Sequence, residues 1–73
     1  MIETNDIIYK LLTDPGLSKK RSGNKVTYYI KSLRVDVPIG LSKLIDKNLK
    51  NKRYKMIRDI IFNYKKMFYT NFG

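Results

Sequence analysis

The stretch Leu33-Arg34-Val35-Asp36-Val37-Pro38 alternates apolar and polar side chains, ends in proline and runs straight into helical periodicity. That pattern is a short, half-buried strand handing over to a helix that covers it. A lone strand leaves its backbone N–H and C=O groups unpaired, so this one requires a mate from its own chain or from a second copy. Just upstream, Val26, Tyr28 and Ile30 alternate with Thr27, Tyr29 and Lys31, so the apolar residues move from even to odd positions between Ile30 and Leu33. Such a slip implies a bulge, a bend or two separate strands. No Asn-Gly or Asp-Gly stands there to close a tight hairpin. The reading that follows is a bent β segment over 26–37 whose second half is the principal strand.

The flanking segments are more helical. Thr4 or Asn5 can cap an amino-terminal helix with Ile7, Ile8, Leu11 and Leu12 on one face and Asp6 in its first turn; Asp14-Pro15-Gly16 stops it, giving an N-terminal helical unit over 1–16. Residues 17–25 are polar, contain a glycine and concentrate Lys19, Lys20, Arg21 and Lys25. They read as a mobile basic loop, either a solvated linker or an arm that touches phosphate. After Pro38, the apolar residues Leu41, Leu44, Ile45 and Leu49 predict a helix over 39–50. Following the polar break Asn51-Lys52-Arg53, the stripe Ile57, Ile60, Ile61, Tyr64 and Phe68 predicts a second helix over 53–68, with a frayed tail over 69–73. Tyr28 and Tyr64 are expected in the core, Tyr54 and Tyr69 at the surface, and Tyr29 on either side. The expected fold class is therefore mainly α with a short β segment, in one small domain.

Charge points to the partner. Sixteen Lys and Arg against six Asp and Glu give 73 residues a formal charge of +10. Self-repulsion of that size is relieved by an anion, and nucleic acid is the first candidate. With no cysteine or histidine, thiolate and imidazole chemistry is excluded, and the carboxylates at positions 3, 6, 14, 36, 46 and 59 form neither a metal loop nor a paired acid and base. The expectation is a binding protein, with no enzyme activity, no cofactor and no metal. The start Met1-Ile2-Glu3-Thr4-Asn5-Asp6 is acidic where a secretory signal is basic, and no apolar run reaches the ~20 residues of a membrane span, so a cytoplasmic protein without a membrane partner is expected. Tyr28 and Tyr29 beside Lys25 and Lys31 also suggest a stacking platform for single-stranded nucleic acid.

The order strand, proline, helix, polar turn, helix over residues 32–64 resembles the ribbon-helix-helix (MetJ/Arc-type) DNA-binding family. The resemblance rests on Ser32-Leu33-Arg34-Val35-Asp36-Val37 ending in Pro38, on Leu41, Leu44 and Ile45, and on Lys52-Arg53-Tyr54-Lys55-Met56-Ile57-Arg58-Asp59-Ile60. The glycine and Ser/Thr cap usual between the helices are replaced by Asn51 and Lys52, and the amino-terminal helix is an addition. The resemblance implies an intertwined homodimer whose paired strands form a two-stranded ribbon in the major groove of double-stranded DNA. Ser32, Arg34 and Asp36 would then face bases. Lys52 and Arg53 would sit against phosphate, with Lys19, Lys20, Arg21, Lys25 and Lys31 adding backbone contacts. The role implied is a small transcriptional repressor, acting on its own operon or at a phage or plasmid locus. The alternatives are a helix-turn-helix DNA binder using Lys55, Arg58 and Asn63, and a basic protein that docks on an acidic surface of host polymerase or replication machinery.

Overall fold

The computed structural model describes residues 4–72. In chain order it contains α1 (Thr4–Leu12), β1 (Ser18–Ser22), β2 (Lys25–Ile30), β3 (Leu33–Pro38), α2 (Ile39–Lys50), α3 (Tyr54–Asn63), a single 3-10 turn (Lys65–Met67) and β4 (Tyr69–Phe72). The strands form an antiparallel sheet in the order β1-β2-β3-β4. Val26 and Tyr28 of β2 and Val35 and Val37 of β3 are buried in one cluster with Ile8, Leu11 and Leu12 of α1, Ile45 of α2 and Ile57 and Ile61 of α3. All three helices therefore cover the same face of the sheet. Among the described residues no helix covers the other face.

This α+β arrangement corrects the mainly α, ribbon-helix-helix homodimer expectation. β3 pairs with β2 from Val26↔Val37 to Ile30↔Leu33, and on its other side with β4 from Leu33↔Phe72 to Asp36↔Tyr69. Both hydrogen-bonding edges of Leu33–Asp36 are taken by their own chain. No intertwined ribbon with a second copy can be built on that strand.

Two of the remaining differences come from turn chemistry. Segment 17–25 is not a mobile loop: Ser18–Ser22 pair with Lys25–Tyr29 across a two-residue turn, Gly23-Asn24. Gly23 has φ +61 at the first central position, where a type II′ hairpin turn needs glycine. The phase slip after Ile30 is a second two-residue hairpin. Pairing Ile30 with Leu33 across Lys31-Ser32 matches even positions to odd ones, so both strands keep their apolar side chains on one face. Downstream, the second helix ends at Asn63 instead of 68, which leaves Tyr64 outside the core at 42% exposure. Tyr28 is fully buried. The tail over 69–73, expected to fray, supplies β4 up to Phe72, and Gly73 lies outside the described residues.

The α2–α3 connection is a Schellman motif. The Arg53 N–H donates to the Asn48 carbonyl at 2.8 Å and the Lys52 N–H to the Leu49 carbonyl at 3.1 Å, with Lys52 at φ +57. Glycine is the usual occupant of that position because a left-handed L-residue costs about 1–2 kcal/mol. Lys52→Gly is accordingly expected to stabilise the fold by about 0.5–1 kcal/mol, the relieved strain less the extra entropy glycine gives the unfolded chain. Urea unfolding should show a higher midpoint with an unchanged slope.

Candidate nucleic-acid interface

Strand alternation sorts the polar side chains. The buried set Val26, Tyr28, Val35 and Val37 faces the helices, so Lys25, Thr27 and Tyr29 of β2 and Arg34 and Asp36 of β3 face outward. The register adds their neighbours. One row across the sheet reads Lys20, Thr27, Asp36, Tyr69, and the next reads Ser18, Tyr29, Arg34 and the backbone position of Asn71. Tyr29 is 37% exposed and Tyr69 69%. Lys20, Ser22, Lys25, Thr27, Tyr29 and Arg34 line a shallow concavity of about 400 Å³ on this face. The outward side of this antiparallel sheet thus presents two tyrosines among three cations.

Asp36, expected to face a base, has other work here. The Thr27 hydroxyl donates to its Oδ1, and Lys25 Nζ stands 3.6 Å from its Oδ2. The carboxylate organises the face and partly cancels its charge. Asp36→Asn keeps an acceptor for Thr27 while freeing Lys25, and it is expected to tighten nucleic-acid binding about fivefold, from about 1 kcal/mol between unit charges about 4 Å apart in water. Anisotropy titrations of both proteins check this. A weaker Asp36→Asn complex would mean that the carboxylate reads a base.

The other expected contacts separate into groups. Arg34, Lys20 and Lys25 share the outward face. Ser32 and Lys31 form the β2–β3 hairpin tip, so Ser32 leaves the row it was expected to share with Arg34. Lys19 and Arg21 alternate to the helix side of β1, where Lys19 Nζ meets Asp46 Oδ2 at 2.8 Å. Lys52 and Arg53 lie in the α2–α3 connection, within the helical layer that covers the opposite side of the sheet. Of the residues proposed for a helix-borne readout, Lys55 and Asn63 are exposed. The Arg58 guanidinium, however, lies 4.0 Å above the Tyr9 ring with Nη1 3.3 Å from Asp6 Oδ1, so α1 occupies part of the face that a recognition helix must offer.

Tyr69 is the residue that sequence reasoning placed at the surface without a function. Its signal was local: Tyr69 and Thr70 are strand-favouring residues, which fits pairing better than fraying.

The inner side of the sheet is tied to α2 by a polar cluster. The Tyr28 hydroxyl donates to Asp46 Oδ1 at 2.7 Å and lies 3.3 Å from the Ser42 carbonyl oxygen. Burial first, and the Asp46 carboxylate second, push the Tyr28 phenol far above its ordinary value. Lys19 closes the cluster from β1.

Among the described residues no three His, Cys, Asp or Glu gather to hold a metal ion, and no helix is long and apolar enough to cross a membrane. No family model, curated protein or solved structure matches this chain.

Proposed function

We propose that this chain is a nucleic-acid-binding protein that holds a single strand on the bare face of its sheet. The observation that carries the reading is the juxtaposition of Tyr29 and Tyr69 with Lys20, Lys25 and Arg34 on the side the helices leave open. Bases stack on such aromatic rings whatever their sequence, and the surrounding cations take the phosphates. Width favours a single strand over a duplex. Four strands about 4.8 Å apart span about 14 Å, more than the roughly 12 Å of a major groove that accepts a two-stranded ribbon. An acidic protein would satisfy the same cations but gives the two outward tyrosines nothing to do. Occupying a strand is itself regulatory, because it denies that segment to other proteins.

Fluorescence anisotropy with labelled single-stranded and duplex oligonucleotides at several salt concentrations tests the reading. The expected result is preference for single strands, with log K falling by roughly 0.7 per log unit of salt for each phosphate engaged. Because the chain has six tyrosines and no tryptophan, its own emission reports stacking and should be quenched on binding. Salt-independent binding overturns the proposal. Tighter binding to duplex would move Arg34 to a groove, where its planar fork suits guanine O6 and N7.

A further inference from the structure

On the helix side of β1, Lys19, Arg21 and Lys43 share a second concavity of about 280 Å³ with Val26, Ile39, Ser42 and Asp46. Asp46 is already engaged twice, by Lys19 Nζ at 2.8 Å and by the Tyr28 hydroxyl at 2.7 Å. Arg21 and Lys43 have no counter-charge among the described residues. Two like charges facing one small space repel each other, and an anion between them removes that cost.

Position links this notch to the proposed interface. β1 is the outermost strand of the sheet and exposed along its whole length. Consecutive side chains alternate across it, so Lys20 points to the bare face while Lys19 and Arg21 point to the notch. Because β1 has no strand beyond it among the described residues, a phosphodiester chain lying over Tyr29 and Lys20 can continue around this edge. Lysines on an edge strand also discourage edge-to-edge aggregation. That role accounts for β1 alone and does not require Lys43, which α2 brings into the same concavity.

We infer that the Arg21/Lys43 notch is a phosphate subsite that receives a single strand after it has wrapped over the β1 edge. The inference rests on the proposed outer-face interface and lengthens its footprint. Its signature is a length-dependent contribution to affinity.

The test titrates single-stranded oligothymidylates of about 4 to 16 nucleotides against the wild-type chain, Arg21→Ala/Lys43→Ala and Lys65→Ala/Lys66→Ala. The last variant removes the same charge from the 3-10 turn, and circular dichroism confirms that all three fold. For the shortest oligomers the notch variant should match the wild type. For the longest it should bind about tenfold more weakly, with a salt slope smaller by roughly 0.7 for each phosphate lost, while the Lys65/Lys66 variant changes less. Equal losses at every length, or equal losses in both double variants, overturn the notch and leave the outer face standing. A wild-type chain that ignores single strands, or a Tyr29→Ala variant that binds as well as wild type, removes the outer-face reading and the notch with it.

Discussion

Tyr29→Ala is expected to weaken single-strand binding by roughly 5- to 150-fold, since a base stacked on an aromatic side chain contributes about 1–3 kcal/mol. The loss should be large because of where the ring stands. Tyr29 is on β2, flanked by β1 and β3, and lies directly across from Arg34, with cross-strand Cβ atoms about 4.5–5.5 Å apart. A base on the ring is therefore within reach of a guanidinium that can hydrogen-bond to it or to its phosphate. Tyr29→Phe should retain most of the affinity because stacking needs the ring and not the hydroxyl. Arg34→Lys, which keeps charge and loses the planar fork, should preserve the salt slope while flattening any preference among bases. Tyr69→Ala should cost less than Tyr29→Ala, because β4 is an edge strand and fewer neighbours surround the ring. Circular dichroism at the temperature of the titration should show each variant folded, so that a loss of affinity reports the interface. An unaltered Kd in Tyr29→Ala would show that the bare face is not where nucleic acid lies.

The helical parts of this fold were legible because their apolar stripes are long enough to be periodic. Leu41, Ile45 and Leu49 mark α2, and Ile57, Ile60 and Ile61 mark α3. The strand at Leu33–Pro38 was legible from alternation alone. What alternation could not supply was its mates, and the error there has a physical source. A two-residue hairpin shifts the apolar phase by one, which is the slip visible between Ile30 and Leu33, yet the turn is made by Lys31-Ser32 with lysine at φ +54, where Asn or Gly is usual. The turn pays a strain cost that no sequence preference advertises. Gly23-Asn24 did carry a hairpin signal, but the strand it announces, Ser18–Ser22, has no apolar residue and is exposed throughout. Composition alone therefore made it a loop. As for the interface, Arg34, Lys20 and Lys25 were legible as cations, but their common face depends on the β1-β2-β3 register, and Tyr69 joins them only because the chain returns after α3 to pair with β3.

Tyr28 carries the largest stability effect expected of any one side chain. At 0.05–0.15 kcal/mol per residue, a 73-residue domain has about 4–11 kcal/mol in total. Removing a fully buried aromatic ring costs about 3–5 kcal/mol, so Tyr28→Ala should unfold the chain or leave it marginal at 37 °C, as read by circular dichroism. Tyr28→Phe separates the hydroxyl from the ring. At neutral pH it should cost about 1–1.5 kcal/mol for the hydrogen bond to Asp46. In alkali the sign reverses. The unfolded phenol ionises at about 10, whereas burial and Asp46 hold the folded phenol neutral well above that. Above pH 10 the unfolded state therefore binds fewer protons than the folded one, and stability falls by about 1.4 kcal/mol per pH unit. Tyr28→Phe lacks this loss, so the two unfolding free energies should converge and cross about one unit above pH 10. Groups that the substitution leaves untouched affect both proteins alike and drop out of the difference. Parallel curves from pH 8 to 11.5 would show that Tyr28 is not held neutral in the fold, and with that the cluster joining β1, β2 and α2 behind the bare face would lose its central member.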